Sequence, residues 1–148
     1  MKKVLILMAT YNGAKYLDEQ IQSLIEQKNV QVDILVRDDG STDNTIEVLN
    51  KWKEQNKLEW YKGKHLNVQF GFYDLMERAR TRDVDYLAFC DQDDVWDLDK
   101  LCIAVEKLEK LCNKSMPALY YCGQRLVDEN MKFIADHKLN KYRNLRTR

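Results

Sequence analysis

From Val4 to Ala9 six apolar residues follow one another without a polar break. A run of that kind predicts a strand covered on both faces, as in a parallel sheet. Ala14, Leu17, Ile21, Leu24 and Ile25 then recur at three- and four-residue spacing and predict a helix with one apolar stripe. Gln31 to Val36 returns to β-branched and apolar side chains and predicts a second strand. Asp38-Asp39-Gly40-Ser41-Thr42 reads as a turn, with Ser41 or Thr42 capping a helix that carries Ile46, Leu49 and Trp52 on one face. Leu58 to Tyr61 predicts a short strand, Gly63 to Phe70 a loop, and Leu75, Met76 and Ala79 a third helix. Asp85 to Cys90 predicts a third buried strand, and Leu101, Val105, Leu108 and Leu111 a fourth helix. Pro117 breaks the chain before a strand near Ala118 to Cys122, and a short hairpin is expected through Ile134.

Strands that alternate with helices predict an α/β domain with a mainly parallel sheet. No repeat or linker interrupts the order, so one domain over residues 1–148 is expected. Ligands bind such sheets beyond the carboxyl ends of the strands. The first strand ends in Thr10-Tyr11-Asn12, the second in Asp38-Asp39, and the third runs into Asp91-Gln92-Asp93-Asp94. If the strands are parallel, these three polar clusters meet on one edge.

Charge changes the picture little. Lys plus Arg and Asp plus Glu both number 24, which argues against a protein that coats nucleic acid. The stretch Lys138 to Arg148 holds five of the basic residues (Lys138, Lys141, Arg143, Arg146, Arg148) and no acid. The rest is therefore net acidic by five, which suits metal binding better than anion capture by bare cations. The basic tail reads as a solvated end or as a contact for anionic lipid. Cys90, Cys102, Cys112 and Cys122 form no CxxC pair and match no zinc spacing, as expected of reduced thiols in a cytoplasmic protein. The apolar start is too short for a signal peptide, and no stretch approaches a membrane span.

Three carboxylates within Asp91 to Asp94 repel one another, which raises their pKa values or recruits a cation. Oxygen ligands alone suit Mg²⁺ or Mn²⁺ shared with substrate phosphates. The bland alternative is an acidic turn ahead of the helix near Leu98. A calcium loop starting at Asp91 fails, because its sixth and twelfth positions hold Trp96 and Cys102. Asp91, Asp93 and Val95 fit the haloacid dehalogenase pattern, yet that motif normally opens a domain, and little of the chain follows here. Around Thr10-Tyr11-Asn12 and Asp38-Asp39, an aromatic can stack on a base and a carboxylate can accept an N–H from its edge. Uracil and thymine carry a donor at N3, whereas cytosine has an acceptor there. Asp-Gly-Ser-Thr is equally good turn chemistry. No GxGxxG follows the first strand, and Gly63-Lys64 is followed by His65, so dinucleotide and P-loop readings drop out. Trp96 suits either an acceptor sugar or the core, and His65 and His137 read as isolated surface residues.

These motifs together resemble the family 2 glycosyltransferases. The resembling segments are Ala9-Thr10-Tyr11-Asn12-Gly13 with Tyr16-Leu17, then Val36-Arg37-Asp38-Asp39-Gly40-Ser41-Thr42-Asp43, then Cys90-Asp91-Gln92-Asp93-Asp94-Val95-Trp96 with Asp99-Lys100-Leu101. The third is similar to the Asp-x-Asp region of rhamnosyltransferase-like members, and Leu126-Val127-Asp128-Glu129-Asn130 to the segment that follows it. The resemblance implies the GT-A fold. It also implies an inverting, metal-dependent transfer from a UDP- or dTDP-sugar to a saccharide or lipid-linked acceptor, in cell-envelope polysaccharide synthesis. Thr10, Tyr11 and Asp39 would hold the pyrimidine. Asp91 would lie nearer the ribose, and Asp93 on a Mn²⁺ or Mg²⁺ ion that bridges the diphosphate. Asn12, Asp38, Gln92 and Asn67 complete the implied nucleotide-sugar site. The family often has Asn-x-Gly before the third helix, whereas this chain reads Asn67-Val68-Gln69 with Gly71 two residues later. Asp128, Glu129, Asp136 and His137 match no motif for the general base. Base and acceptor segments are therefore expected past residue 148, and a non-catalytic nucleotide-sugar-binding fragment is the alternative.

Overall fold

Residues 1–65, 67–111, 117–128 and 130–137 are described by a computed structural model. The basic residues from Lys138 onward, Cys112 and Glu129 lie outside that set. The chain divides into two compact units, Met1–Glu106 and Lys107–Arg148.

The first unit holds four parallel strands in the order β3-β2-β1-β4, with β1 at Lys2–Thr10, β2 at Val30–Asp38, β3 at Glu59–Lys62 and β4 at Tyr86–Cys90. Helices α1 (Ala14–Ile25), α2 (Thr45–Glu54) and α3 (Val68–Ala79) connect them, and α4 starts at Lys100 and runs to Leu111. Because side chains alternate across a strand, β1 feeds two cores. Val4, Ile6 and Met8 pack with Ile34, Val36, Leu17, Ile21, Leu24 and Leu49. Leu5 and Leu7 pack with Leu35, Leu75 and Ala79. Thus α1 and α2 cover one face of the sheet and α3 the other.

That placement fixes where a ligand can sit. The chain steps outward from β1 through β2 to β3, then α3 carries it back on the opposite face to β4, on the other side of β1. The crossovers on either side of β1 use opposite faces, so the carboxyl ends of β1 and β4 form the switch point at which open α/β sheets take their ligands.

Several expectations shift. The third strand is not buried on both faces: among the described pairings β4 is an edge strand, and Leu87 and Phe89 are 44% and 47% exposed. Neither Ser41 nor Thr42 caps α2, which starts at Thr45 after Asn44. Asp43 does that work instead, accepting from the Thr45 backbone N–H at 3.0 Å and from its hydroxyl at 2.6 Å. The loop ends at Asn67, because the Asn67 side chain accepts from the Phe70 N–H at 3.1 Å and starts α3.

In the second unit the expected strand at Ala118 to Cys122 does not form. The hairpin does, as antiparallel β5 (Gln124–Val127) and β6 (Phe133–His137). Asp128 closes its turn, accepting from the Asn130 and Lys132 N–H groups at 2.9 Å each.

Candidate functional site

The register brings the three clusters together. Thr10 pairs with Asp38 across β1 and β2, and Met8 with Cys90 across β1 and β4. Both neighbours of β1 therefore end within a residue or two of Thr10. The Asp39 N–H donates to the Thr10 carbonyl at 2.9 Å. From the other side Gln92 reaches over: Thr10 Oγ1 and the Tyr11 N–H donate to its Oε1 at 2.8 and 2.9 Å, and its Nε2 donates to the Tyr11 carbonyl at 3.3 Å. Gly13 leaves the space for this amide, since a Cβ there would lie 2.6 Å from Gln92 Oε1.

Asn12 joins β1 to the loop after β2. It adopts a left-handed backbone, φ 50°, which Asn tolerates better than most residues. Its N–H donates to Ser41 Oγ at 2.9 Å and its Oδ1 accepts from the Thr42 N–H at 2.8 Å. Asp38 is fully buried, and its Oδ2 accepts from the Gly40 and Ser41 N–H groups at 2.9 and 3.1 Å while the Ser41 hydroxyl donates to Oδ1. Gly40 at φ +90° makes that turn possible. So Asn12, Asp38 and Asn67 shape the loops through their side chains. Thr10, Tyr11, Asp39 and the Asp91–Asp93 stretch stand at the carboxyl ends of β1, β2 and β4. Asp43 is held below the usual carboxylate range, chiefly by the Thr45 hydroxyl and further by the Thr45 and Ala14 N–H groups.

Sequence reasoning missed two participants. His65 is not isolated: its ring lies 4.8 Å from that of Tyr11, centroid to centroid, at 57°. Arg37, read only as part of a motif, is 1% exposed and faces α3, as its alternation with Leu35 dictates. It pairs with Asp39 through Nη1 and with Asp74 through Nε at 3.1 Å, and Nη2 donates to the Lys64 carbonyl at 2.6 Å. Tyr61 donates to the same Asp74 oxygen at 2.6 Å, and burial, then that contact, pushes its phenol well above the ordinary range. An arginine directly after Ile34-Leu35-Val36 was the available signal, because an arginine that extends an apolar strand must find carboxylate partners.

Two other residues resolve as structural. Trp96 is 5% exposed in the core, its N–H donating to Ser23 Oγ at 3.1 Å and Lys100 lying 4.0 Å from its ring centroid. Cys90 is buried beside Gln20, whose Nε2 lies 2.9 Å from its sulfur, and burial pushes its thiol up to about 12. Cys90, Cys102 and Cys122 are free thiols.

The comparisons bear on this arrangement directly. Residues 5–147 match the family described as Glycosyl transferase family 2. The chain belongs to glycosyl transferase family 2. A relative named dTDP-rhamnosyl transferase RfbG, from Shigella flexneri, is 36% identical over an alignment 137 residues long that covers 82% of this chain and 45% of that protein. A putative teichuronic acid biosynthesis glycosyltransferase TuaG from Bacillus subtilis is 28% identical over 112 residues, 74% of this chain and 43% of its own length. This family 2 chain therefore spans less than half the length of these relatives. Among solved structures, S. aureus TarS 1–349 superposes with a TM-score of 0.61 at 24% identity, covering 74% of this chain and 33% of that one. The mannosyltransferase PcManGT from Pyrobaculum calidifontis, solved with GDP-Man and Mn²⁺, gives 0.59 at 24% identity, covering 72% and 32%. These likenesses show the fold, which is GT-A.

The acidic stretch of this family 2 chain suits a shared ion rather than a closed cage. Among the described residues no group of three or more His, Cys, Asp or Glu is arranged to hold a metal. Asp91 and Asp93 accept no side-chain hydrogen bond from described residues, and Asp93 lies open to solvent. Asp91 is exposed as a residue while its carboxyl end is partly covered. That covering lifts it above the ordinary carboxylate range, and the negative charges of Asp94 and Asp93 lift it further. Two carboxylates with free lone pairs fit Mn²⁺ or Mg²⁺ that takes its remaining ligands from phosphate and water.

Proposed function

We propose that this chain binds the nucleotide-sugar donor of an inverting, metal-dependent glycosyltransferase. The donor is a UDP- or dTDP-sugar, and the acceptor a saccharide or lipid-linked saccharide of cell-envelope polysaccharide. The observation that carries this reading is the convergence of Thr10, Asp39 and Gln92 at the carboxyl ends of β1, β2 and β4. Tyr11, 45% exposed, offers a ring to the base, and Asp39 an acceptor for the N3–H of uracil or thymine. Asp91 and Asp93 would hold Mn²⁺ or Mg²⁺, whose charge would stabilise the departing nucleoside diphosphate. The relative named as a dTDP-rhamnosyl transferase supports the donor class.

The general base is unassigned: Asp128 closes a turn, and Asp136 stands on the exposed strand β6. No helix among the described residues is long and apolar enough to cross a membrane. The proposed setting is the cytoplasmic side of the membrane, with the basic tail, by its charge, suited to anionic lipid. Titration calorimetry with UDP and dTDP in the presence of Mn²⁺ tests the reading. Saturable binding that Asp93→Ala weakens supports it. No heat at millimolar nucleotide, or unchanged affinity in Asp93→Ala, sinks it.

A further inference from the structure

The Arg37 guanidinium is held on every side. Nε is fixed by Asp74 at 3.1 Å and Nη2 by the Lys64 carbonyl at 2.6 Å, which leaves Nη1 aimed at Asp39. Two glycines are shaped around it. A Cβ at Gly63 would lie 2.6 Å from Nε, and one at Gly71 would lie 3.3 Å from Nη1. Asp74 is itself tethered by the Tyr61 hydroxyl at 2.6 Å, and Arg78 lies over the Tyr61 ring at 3.7 Å. Three elements, β2, the segment after β3 and α3, therefore converge to set the guanidinium against the Asp39 carboxylate.

Asp39 is the part of this network that lies at the carboxyl end of the sheet, directly after β2. Its backbone is pinned to Thr10 at 2.9 Å, and its Oδ1 faces the guanidinium. No hydrogen bond among the described residues occupies its Oδ2. A buried ion pair this well enclosed adds little stability over apolar packing, whereas removing one partner leaves an uncompensated charge. What it does supply is a carboxylate set against a fixed positive charge, able only to accept hydrogen bonds.

We propose that Arg37 is a positioning residue that sets the base selectivity of the pocket, by clamping Asp39 as a fixed acceptor for a base that presents an N–H at that edge. Uracil and thymine satisfy this requirement and cytosine does not. The inference rests on the nucleotide-binding reading above and extends it to a residue that does not touch the nucleotide.

Affinities of the full chain for UDP and CDP, measured by calorimetry with Mn²⁺, test it in the wild type, Arg37→Lys, Arg37→Met, Asp39→Asn and the Arg37→Met/Asp39→Asn double variant. The wild type is expected to favour UDP by about tenfold or more, the worth of one hydrogen bond to a charged group. Arg37→Met is expected to erase most of that ratio, and Arg37→Lys to retain part of it, because an ammonium keeps the charge but loses the fork. In the Asp39→Asn background Arg37→Met should change the ratio no further. A folded Arg37→Met protein with the wild-type ratio, or an effect additive with Asp39→Asn, overturns the proposal. Should Arg37→Met fail to fold, an unchanged ratio in Arg37→Lys overturns it equally. Absence of any nucleotide binding in the wild type refutes the donor-binding reading itself, an outcome distinct from binding without Arg37-dependent selectivity.

Discussion

Gln92 ties the acidic loop after β4 to the end of β1, its side-chain Oε1 accepting from Thr10 Oγ1 at 2.8 Å and from the Tyr11 N–H at 2.9 Å. The latch aligns the proposed metal carboxylates with the proposed base pocket. Gln92→Ala removes both bonds and the longer one that Nε2 donates to the Tyr11 carbonyl, the shorter two each worth on the order of 1 kcal/mol. Affinity for UDP or dTDP should fall roughly tenfold with the fold intact. Gln92→Glu keeps the acceptor and loses the donor to the Tyr11 carbonyl, so it should fall between. Calorimetry reads both, and a folded Gln92→Ala protein with wild-type affinity contradicts the role.

Metal removal tests the proposed base pocket apart from the proposed diphosphate site. With EDTA in place of Mn²⁺, nucleoside diphosphate affinity should drop, whereas the affinity of the bare nucleoside should not. The Asp91→Asn/Asp93→Asn protein should bind diphosphate equally with and without Mn²⁺. A metal response that survives in that double variant would mean the ion sits elsewhere.

Asp18 links α1 to α2, accepting from Lys51 Nζ at 2.8 Å and from the Trp52 indole N–H at 2.7 Å. The Lys51 contact, followed by that of Trp52, holds its carboxyl below the ordinary value of 3.8. A depressed folded-state pKa contributes stability above the unfolded value and loses it as pH falls through the folded one. Asp18→Asn should therefore cost stability at neutral pH and cost progressively less below about pH 4. The side chain is half exposed, so solvent screening keeps the neutral-pH loss to roughly 1 kcal/mol or less. Denaturant titrations at pH 7 and pH 3 measure the difference. An equal loss at both pH values would assign the effect to packing instead.

Leu75 is the fully buried centre of the α3 face, where it meets Leu5, Leu7 and Leu35. Leu75→Ala should destabilise the protein by about 2–5 kcal/mol, through lost burial and the cavity left behind. Tyr73, two residues earlier on the same helix, is 60% exposed, and Tyr73→Ala should change stability by about 0.5 kcal/mol or less. Chemical denaturation of the two variants gives the comparison, and similar losses would refute this view of the α3 face.

The apolar run at Val4 to Ala9 and the helical spacing from Ala14 to Ile25 determine β1 and α1 by themselves. Periodicity is a local property, and a buried parallel strand has a local signature. The three polar clusters were legible for the same reason, since each directly follows an apolar strand. The sequence was misleading where a neighbour decides. Asp85 to Cys90 reads as a strand buried on both faces, but its position at the edge of the sheet exposes Leu87 and Phe89. Ala118 to Cys122 has strand-forming residues and forms no strand, while Gln124–Val127 pairs with Phe133–His137. Pairing partners are a tertiary choice, and propensity is weak against them.

Within the site, chain order alone specified that Thr10, Asp39 and Asp91 would share an edge once the strands ran parallel. It did not divide the labour between neighbours. Only the folded register shows that Asp38 closes a turn while Asp39 meets Arg37, that Gln92 latches two strand ends, and that His65 lies against Tyr11. The Gln92 latch and the His65–Tyr11 contact join residues far apart in the chain, and Arg37 meets Asp39 while Asp74 and Lys64, distant in sequence, hold its guanidinium. No local pattern encodes a contact of that kind; the crossing of β1, β2, β4 and α3 creates it.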